Sequence, residues 1–265
     1  MKQICILLLV ICLPIFVQAQ INESDTARVQ LRSSITSNYQ AGNVQLFALR
    51  GRIELSAAGK KFVFKTQNNG LYQSFFKTKA DADLFSRNFL YYRPQQPVYP
   101  FVMGFVASNY RLKINTRVFV GGGATWQMIK LSKSNIKLSA SMVYEQTYFS
   151  RRQFNNTHYT GQNQIRLWRA TSWLAGQHRF NENGLRLHYT IYYQPGLDGQ
   201  NNYRVSGEAG LDCPIHKGLG FTMLYTNLYE QVVVSGVQQR DALFSFGLNY
   251  QLKKRKDENT FNHKN

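Results

Sequence analysis

Residues 240–252 read RDALFSFGLNYQL, and this stretch decides the fold. Every second side chain is apolar, which gives one face made of Ala242, Phe244, Phe246, Leu248, Tyr250 and Leu252. Such alternation is typical of a β-strand with one apolar and one polar side. Strands of soluble proteins average about five or six residues, whereas a tilted strand that crosses a membrane needs roughly 9–11. The stretch therefore predicts a membrane-spanning strand.

The same alternation recurs along the chain after residue 20. About twelve segments show it, beginning near Arg28, Val44, Lys61, Lys79, Pro97, Asn115, Asn135, Asn163, Gly184, Asn202, Gly218 and Arg240. In the later half, tight turns at Asn181–Gly184 and Pro214–Lys217 alternate with longer connections at Ser150–Gln162, Pro195–Asn201 and Val232–Gln239. This organisation is expected of outer-membrane barrels. We expect an all-β fold, an antiparallel transmembrane β-barrel of about 12 strands over residues 20–252.

The first residues have a different composition. Lys2 precedes an apolar stretch from Ile4 to Val17, and small or permissive residues follow at Val17–Ala19. The apolar stretch is shorter than the ~20 residues of a spanning helix. We expect residues 1–19 to be a signal peptide cleaved before Gln20. Cys213 is then the only cysteine, so neither an internal disulfide nor a multi-cysteine zinc site is expected.

The end of the last strand resembles an assembly signal. The residues that carry it are Ser245, Gly247, Tyr250 and Leu252, in the order polar-x-Gly-x-x-aromatic-x-hydrophobic. The pattern resembles the signal read by the outer-membrane barrel assembly machinery, although Leu stands where Phe is usual. Residues 253–265 follow it as a basic tail that we expect to be disordered. The resemblance implies the bacterial outer membrane as location, with membrane lipids and lipopolysaccharide as partners.

Basic residues exceed acidic ones by a wide margin, 32 to 14, for a net charge of +18. Charged residues cost a few kcal/mol on the lipid face of a barrel, so alternation predicts that they face the lumen. The lumen candidates are Arg50, Arg52, Glu54, Arg117, Lys137, Arg166, Arg186, Arg204, Glu208 and Asp212. Networks of Arg with Glu would close such a lumen, whereas an open basic lumen would prefer small anionic solutes.

No motif for catalysis, cofactor binding or metal binding stands out. The histidines at 158, 178, 188, 216 and 263 lie in no HExxH spacing, and the sequence has no GxSxG elbow. Gly121–Gly123 precede no Lys-Ser/Thr pair, so we interpret them as a bend or as room for the nearby Trp126. We therefore expect no catalytic residues, no metal and no cofactor.

Two stretches resemble the DUF481 family, which includes salt-induced outer membrane proteins. The first is Gly121–Gly123 with the strand at Lys137–Ser141. The second comprises Gly210-Leu211, Pro214-Ile215, Gly236–Asp241 and Gly247–Tyr250. The resemblance implies an outer-membrane barrel of unestablished activity, and it supplies no catalytic residues.

Three functions remain open. The first is a non-enzymatic outer-membrane barrel with a basic lumen, for envelope integrity or for binding or passage of small anionic solutes. The second is an outer-membrane hydrolase acting on lipid or peptide, which needs a Ser–His or Asp–His pair near His158 or His188. The third is a secreted basic binder of nucleic acid or polysaccharide. Strand length and the terminal signal argue against the third, so no nucleic-acid partner is expected.

Overall fold

Twelve antiparallel strands close into a barrel in the computed structural model, which describes residues 21–24, 27–41, 45–180, 184–216 and 218–254, without the side chains of 253 and 254. Each strand pairs with its neighbours in the chain, and β1 pairs with β12. The strands are β1 Val29–Gln40, β2 Leu46–Ala58, β3 Phe62–Phe75, β4 Thr78–Tyr92, β5 Val98–Asn109, β6 Ile114–Lys130, β7 Ser134–Phe149, β8 Gln164–Arg179, β9 Arg186–Pro195, β10 Tyr203–His216, β11 Leu219–Glu230 and β12 Arg240–Lys254.

The sequence prediction of the fold is confirmed. Every strand begins within two residues of the position that alternation indicates. The strands run from 10 to 17 residues, so most of them are longer than the alternation suggested. Strand β12 continues to Lys254, two residues past the predicted barrel end. The predicted signal peptide, most of the predicted tail, and residues 181–183 and 217 of the predicted tight turns lie outside the described residues.

The two ends of the barrel differ. We call the end where β1 begins and β12 finishes the terminal end, and the opposite one the loop end. The long connections 150–163, 196–202 and 231–239 all lie at the loop end. A single turn of 3-10 helix, Thr157–Tyr159, lies within the first of them. In the described chain no helix is long and apolar enough to cross a membrane.

Apolar side chains cover the outside of the barrel. Examples exposed by half or more are Ile53, Leu84, Val102, Val120, Met142, Trp168, Ile191, Phe244 and Phe246. Tyr144, Tyr148, Tyr193, Tyr225 and Tyr250 also project outward. Exposing so continuous an apolar surface to water is unfavourable, whereas its contact with the hydrocarbon of a membrane is favourable.

The inside of the terminal half is filled with side chains. On the β3–β8 side, aromatic rings dominate a buried cluster made of Val63, Phe89, Tyr91, Tyr99, Phe101, Met103, Phe119, Val143 and Trp173. Trp173 packs against Phe101 with ring centroids 5.3 Å apart and against Tyr192 at 5.4 Å. The facing wall, built from β1, β2 and β9–β12, carries polar and charged side chains instead. In the terminal half the aromatic cluster therefore lies on the β3–β8 side, where Lys65 and Lys137 are also buried, and ionic side chains dominate the facing wall.

Strands β1 and β12 pair along only part of their length. Their register runs from Val29↔Lys254 to Thr36↔Gly247. Beyond that point β1 continues to Gln40 on β2 alone, and the Arg240–Phe246 stretch of β12 pairs with β11 alone. All four residues from Ser37 to Gln40 are exposed, whichever face they occupy. We call this unpaired stretch at the loop end the β1–β12 gap.

Gly121 and Gly123 of β6 face the lumen where β7 crosses closely. A Cβ on Gly123 would collide with the backbone of Ala140 and Ser141, and one on Gly121 with Met142 and Val143. Trp126 projects outward and is half exposed. The interpretation that the glycines make room for Trp126 is wrong, because the neighbouring backbone requires them.

Candidate functional site in the barrel lumen

Asp212 organises the lumen near the terminal end. Arg32 donates from Nη2 to both of its carboxylate oxygens, at 2.9 and 3.0 Å. Thr222 and Asn249 donate to Oδ1 at 2.7 and 3.2 Å, and His188 Nδ1 lies 3.5 Å from Oδ2. These groups are buried, so each charge depends on its partner rather than on water. Arg186, also buried, contacts Gln251 at 3.5 Å.

Arg52 bridges two carboxylates at mid-barrel. It donates to Glu54 of its own strand at 2.7 Å and to Glu208 across the lumen on β10 at 2.7 Å. Glu54 is fully buried, whereas Glu208 is only partly buried and lines an open cavity. The predicted lumen residues Arg52, Glu54 and Glu208 are thus brought together by strands far apart in sequence.

Glu145 and Glu230 hold the arginines of the loop-end half. Arg117 makes a two-pronged contact with Glu230 at 2.7 and 2.8 Å. Arg169 donates to Glu145 at 3.1 Å, and Arg204 donates to the same carboxylate. Two-pronged and shared contacts of this kind fix strands relative to one another. Most lumenal arginines are therefore neutralised by a carboxylate rather than left available to solutes.

The segment 21–24 crosses the lumen at the terminal end. Glu23 accepts hydrogen bonds from Lys137 at 2.8 Å and from Tyr99 at 2.9 Å, and lies 3.5 Å from Lys65. Lys65 also donates to the carbonyl of Ile21 at 2.9 Å. Burial alone would raise the pKa of Glu23. The positive charges of Lys137 and then of Lys65 outweigh this effect, so the pKa lies well below its ordinary value. Glu23 is therefore a charged anchor, and the segment is tied to β3, β5 and β7.

A cavity of about 290 Å³ remains in the loop-end half, and we call it the chamber. Its β4–β6 wall is aromatic, formed by Phe85, Phe105 and Phe119, with Phe105 stacked on Phe119 at 4.4 Å. Arg50 and Arg52 line it from β2, and Leu228 and Leu243 line it from β11 and β12. A smaller cavity of about 60 Å³ lies below and shares Gln67, Thr190 and Tyr192 with the chamber.

Two arginines of the chamber have no carboxylate within 4.0 Å among the described residues. Arg50 Nη1 is buried without a hydrogen-bond partner in that part of the chain. The Arg87 guanidinium lies 4.7 Å from the centre of the Tyr192 ring and 5.7 Å from that of Phe105, and it donates to the Tyr192 hydroxyl. Asp83 and Glu208 also line the chamber, but neither lies within 4.0 Å of these two guanidinium groups, so Arg50 and Arg87 are the chamber arginines without a close carboxylate in the described chain.

The structure does not bring every predicted lumen residue inside. Arg50, Arg52, Glu54, Arg117, Lys137, Arg186, Arg204, Glu208 and Asp212 face the lumen, but Arg166 is exposed on the outer face beside Trp168. At this end of β8 the inward residues are Ile165 and Leu167, which pack under the loops. The assumption that charged side chains face the lumen is wrong at this position. Here the apolar side chains turn inward under the loops, and the charged Arg166 lies on the outer face.

Several residues of the ionic clusters are absent from the predicted set. Arg32, Arg169 and Glu230 lie on strands whose alternation could have identified them. Glu23 precedes the first strand, so no periodic pattern marks it.

Two long connections fold over part of the loop end. Phe154 and Val234 pair as an isolated bridge, and both pack in an apolar cluster with Phe149, Tyr159 and Val232. The Tyr159 hydroxyl donates to Asp198; burial, and then this hydrogen bond, raise the pKa of Tyr159 to about 12. The 150–163 connection between β7 and β8 is thus joined to the 231–239 connection between β11 and β12.

The residues of the predicted assembly signal lie on both faces of β12. Tyr250 and Leu252 project outward and are about half exposed, whereas Ser245 and Gly247 face the lumen. A Cβ on Gly247 would meet the Ile35 carbonyl and the Thr36 side chain, at the last pair of the β1–β12 register. The absence of a side chain at Gly247 therefore lets β12 approach β1 closely at the last residue pair of their register. Its role as a signal stays a prediction.

Histidines do not form the arrangement that a hydrolase would need at the loop end. His158 is exposed, and its ring packs edge-on against Tyr159. His188 lies deep in the lumen beside Asp212, and no hydroxyl or thiol hydrogen-bonds to its ring among the described residues. Ser134 and His178 are 2.9 Å apart, but they lie at the terminal end, and no carboxylate of the described residues contacts the His178 ring. In the described chain no group of His, Cys, Asp and Glu could hold a metal ion.

An apolar exterior, an interior rich in ion pairs and twelve closed antiparallel strands define a β-barrel of the membrane-spanning type. The chain belongs to the family described as "Protein of unknown function, DUF481", whose profile matches residues 34–252. The expected family is thereby confirmed. No curated protein is similar to the chain in sequence.

Similar solved structures are barrels as well. The NanC porin is 9% identical over 84% of this chain and 100% of that one, with a TM-score of 0.48. An outer membrane channel of Pseudomonas putida F1, COG4313, is 12% identical over 88% and 100%, with a TM-score of 0.44. The KdgM porin is 10% identical over 84% and 98%, at 0.38. With scores under 0.5, these likenesses carry no statement about what this chain binds.

Proposed function

We propose that the protein is a non-enzymatic barrel of the bacterial outer membrane that binds small anionic solutes in its chamber. The observation that carries the proposal is the pair Arg50 and Arg87, which line the chamber without a carboxylate within 4.0 Å in the described chain. Partly buried charges without a close counter-ion are costly, so an anion from solution would stabilise these two guanidinium groups. Outer-membrane lipids, lipopolysaccharide and the barrel assembly machinery are the partners that a barrel of this kind requires.

Passage across the barrel depends on the segment 21–24. The segment and the aromatic cluster fill the lumen between the chamber and the terminal end. A solute bound in the chamber would cross only when the segment leaves its place. The proposal therefore combines anion binding with a low resting conductance.

Conductance in planar bilayers tests the proposal. We expect small steps with anion selectivity in KCl gradients, and we expect Arg50→Gln with Arg87→Gln to reduce that selectivity. Arg166→Gln is the matched control, because it removes a guanidinium outside the lumen. Cation-selective steps, or equal effects of the double variant and the control, would contradict the proposal.

The hydrolase alternative is not favoured by any observed constellation. A barrel enzyme would need a nucleophile, a base and an orienting group together near the loop end. The histidine closest to the long connections, His158, has neither a carboxylate nor a hydroxyl on its ring in the described chain.

A further inference from the structure

The chamber walls are chemically unequal. On one side Phe85, Phe105 and Phe119 form an aromatic surface, and on the other Arg50 and Arg52 present guanidinium groups. Arg87 combines both properties, since its guanidinium lies 5.6 Å from the Phe85 ring centre and 4.7 Å from that of Tyr192. A simple inorganic anion would use the guanidinium groups and leave the aromatic wall without a partner.

The β1–β12 gap borders the chamber. Asp241 and Leu243, both on the β12 stretch that does not pair with β1, line the chamber. The outward side chains beside the gap are apolar, with Tyr39 76% and Phe244 60% exposed. On β1, Ser37–Gln40 are held only by β2. A molecule in the surrounding hydrocarbon would meet an apolar border and, behind it, a chamber with arginines.

We propose that the chamber binds amphipathic carboxylates that carry an aromatic ring, and that they reach it sideways through the β1–β12 gap. This inference rests on the proposed anion-binding function. The ring packs on Phe85 and Phe105, and the carboxylate lies between Arg50 and Arg87. A cavity of about 290 Å³ limits the ligand to a small molecule.

Ligand class is tested by equilibrium binding to the full chain in detergent. The probes are 1-naphthoate, which is fluorescent, acetate, which lacks the ring, and 1-naphthamide, which lacks the charge. We expect 1-naphthoate to bind at least tenfold more tightly than either of the others. Phe105→Leu should weaken naphthoate but not acetate, because Leu keeps the wall apolar and removes the ring stack.

The route is tested by closing the gap. If the β1–β12 register continued, Asn38 would oppose Ser245, and both would face the lumen. We would place cysteines there as Asn38→Cys and Ser245→Cys with Cys213→Ser, and join them by oxidation or by a short bis-methanethiosulfonate linker. Ile35→Cys with Leu248→Cys is the matched control, because that pair already lies in register.

In liposomes, the closed gap should slow 1-naphthoate association at least tenfold and leave chloride conductance unchanged. The control cross-link should change neither. An unchanged association rate would overturn the lateral route. Anion-selective conductance without any preference for naphthoate over acetate would overturn the ligand class and leave the proposed function standing. Loss of both anion binding and anion selectivity would overturn the proposed function itself.

Discussion

At the scale of single residues, the closeness of β6 and β7 depends on missing side chains. Gly123 faces the lumen where the backbone of Ala140 and Ser141 occupies the space that a Cβ would need. The backbone of β7 cannot move aside for an added Cβ as the end of a flexible side chain could. The close approach of β6 and β7 at this place therefore requires glycine.

We expect Gly123→Ala to destabilise the barrel by about 1–3 kcal/mol, the usual range for overpacking. The measurement is the urea midpoint of unfolding from lipid vesicles. Gly51→Ala is the matched control, because nothing lies within 4 Å of the position its Cβ would take. Equal midpoints for the two variants would show that β7 shifts freely.

Alternation identifies lumen residues well where the outside is apolar, and less well elsewhere. It placed Asp212 and Arg204 inside because Leu211 and Val205 mark the opposite face of β10. It misplaced Arg166, since apolar Ile165 and Leu167 turn inward under the loops. The pairing of Arg52 with Glu208 could not be predicted, because it depends on which strands face each other across a closed barrel.

At the scale of elements, the segment 21–24 closes the terminal end through one carboxylate. Glu23 joins Lys137, Tyr99 and Lys65, which belong to three strands. No periodicity announces such a segment, so the sequence alone could not place it in the lumen. Strands, by contrast, are repeated patterns, and their starts were predicted to within two residues.

We expect Glu23→Gln to release the segment, because two buried lysines lose their counter-charge. Single-channel conductance should rise severalfold, with anion selectivity retained. Asp198→Asn, a carboxylate of the 196–202 connection, is the control and should leave conductance unchanged. A Glu23→Gln barrel as poorly conducting as the wild type would show that the aromatic cluster alone closes the lumen.

Acidification should imitate that variant. The pKa of Glu23 in the folded protein lies below its ordinary value of 4.5. Ionised Glu23 therefore stabilises the closed segment at neutral pH, and this contribution is lost as the pH falls below that value toward the lowered one. Wild-type conductance should rise on acidification below about pH 4, whereas Glu23→Gln should already be high and show no such rise. If the wild-type conductance did not change in this pH range, the ionisation of Glu23 would not be what holds the segment 21–24 in the lumen.

At the scale of the whole molecule, the positive charge lies less in the lumen than the sequence suggested. Buried carboxylates balance most lumenal arginines, while Lys60, Lys61, Arg93 and Lys133 lie in turns at the terminal end. Headgroup phosphates of a membrane would surround such a rim. Composition gives the size of the excess but not its location, because location depends on which turns share one end.

Because the exterior is apolar, the cost of a charged substitution on it should depend on the depth of the residue in the membrane. Val120 of β6 projects outward in mid-strand and is 62% exposed, whereas Asn115 is exposed near the loop end of the same strand. Lysine costs roughly 2–4 kcal/mol at the middle of a bilayer and about 0–1 kcal/mol near its surface. Val120→Lys should therefore lower the free energy of unfolding from vesicles far more than Asn115→Lys does, and the difference should shrink in short-chain detergent, where water reaches the belt. Equal costs in vesicles would mean that β6 does not cross hydrocarbon, and the membrane placement of the barrel would fail with it.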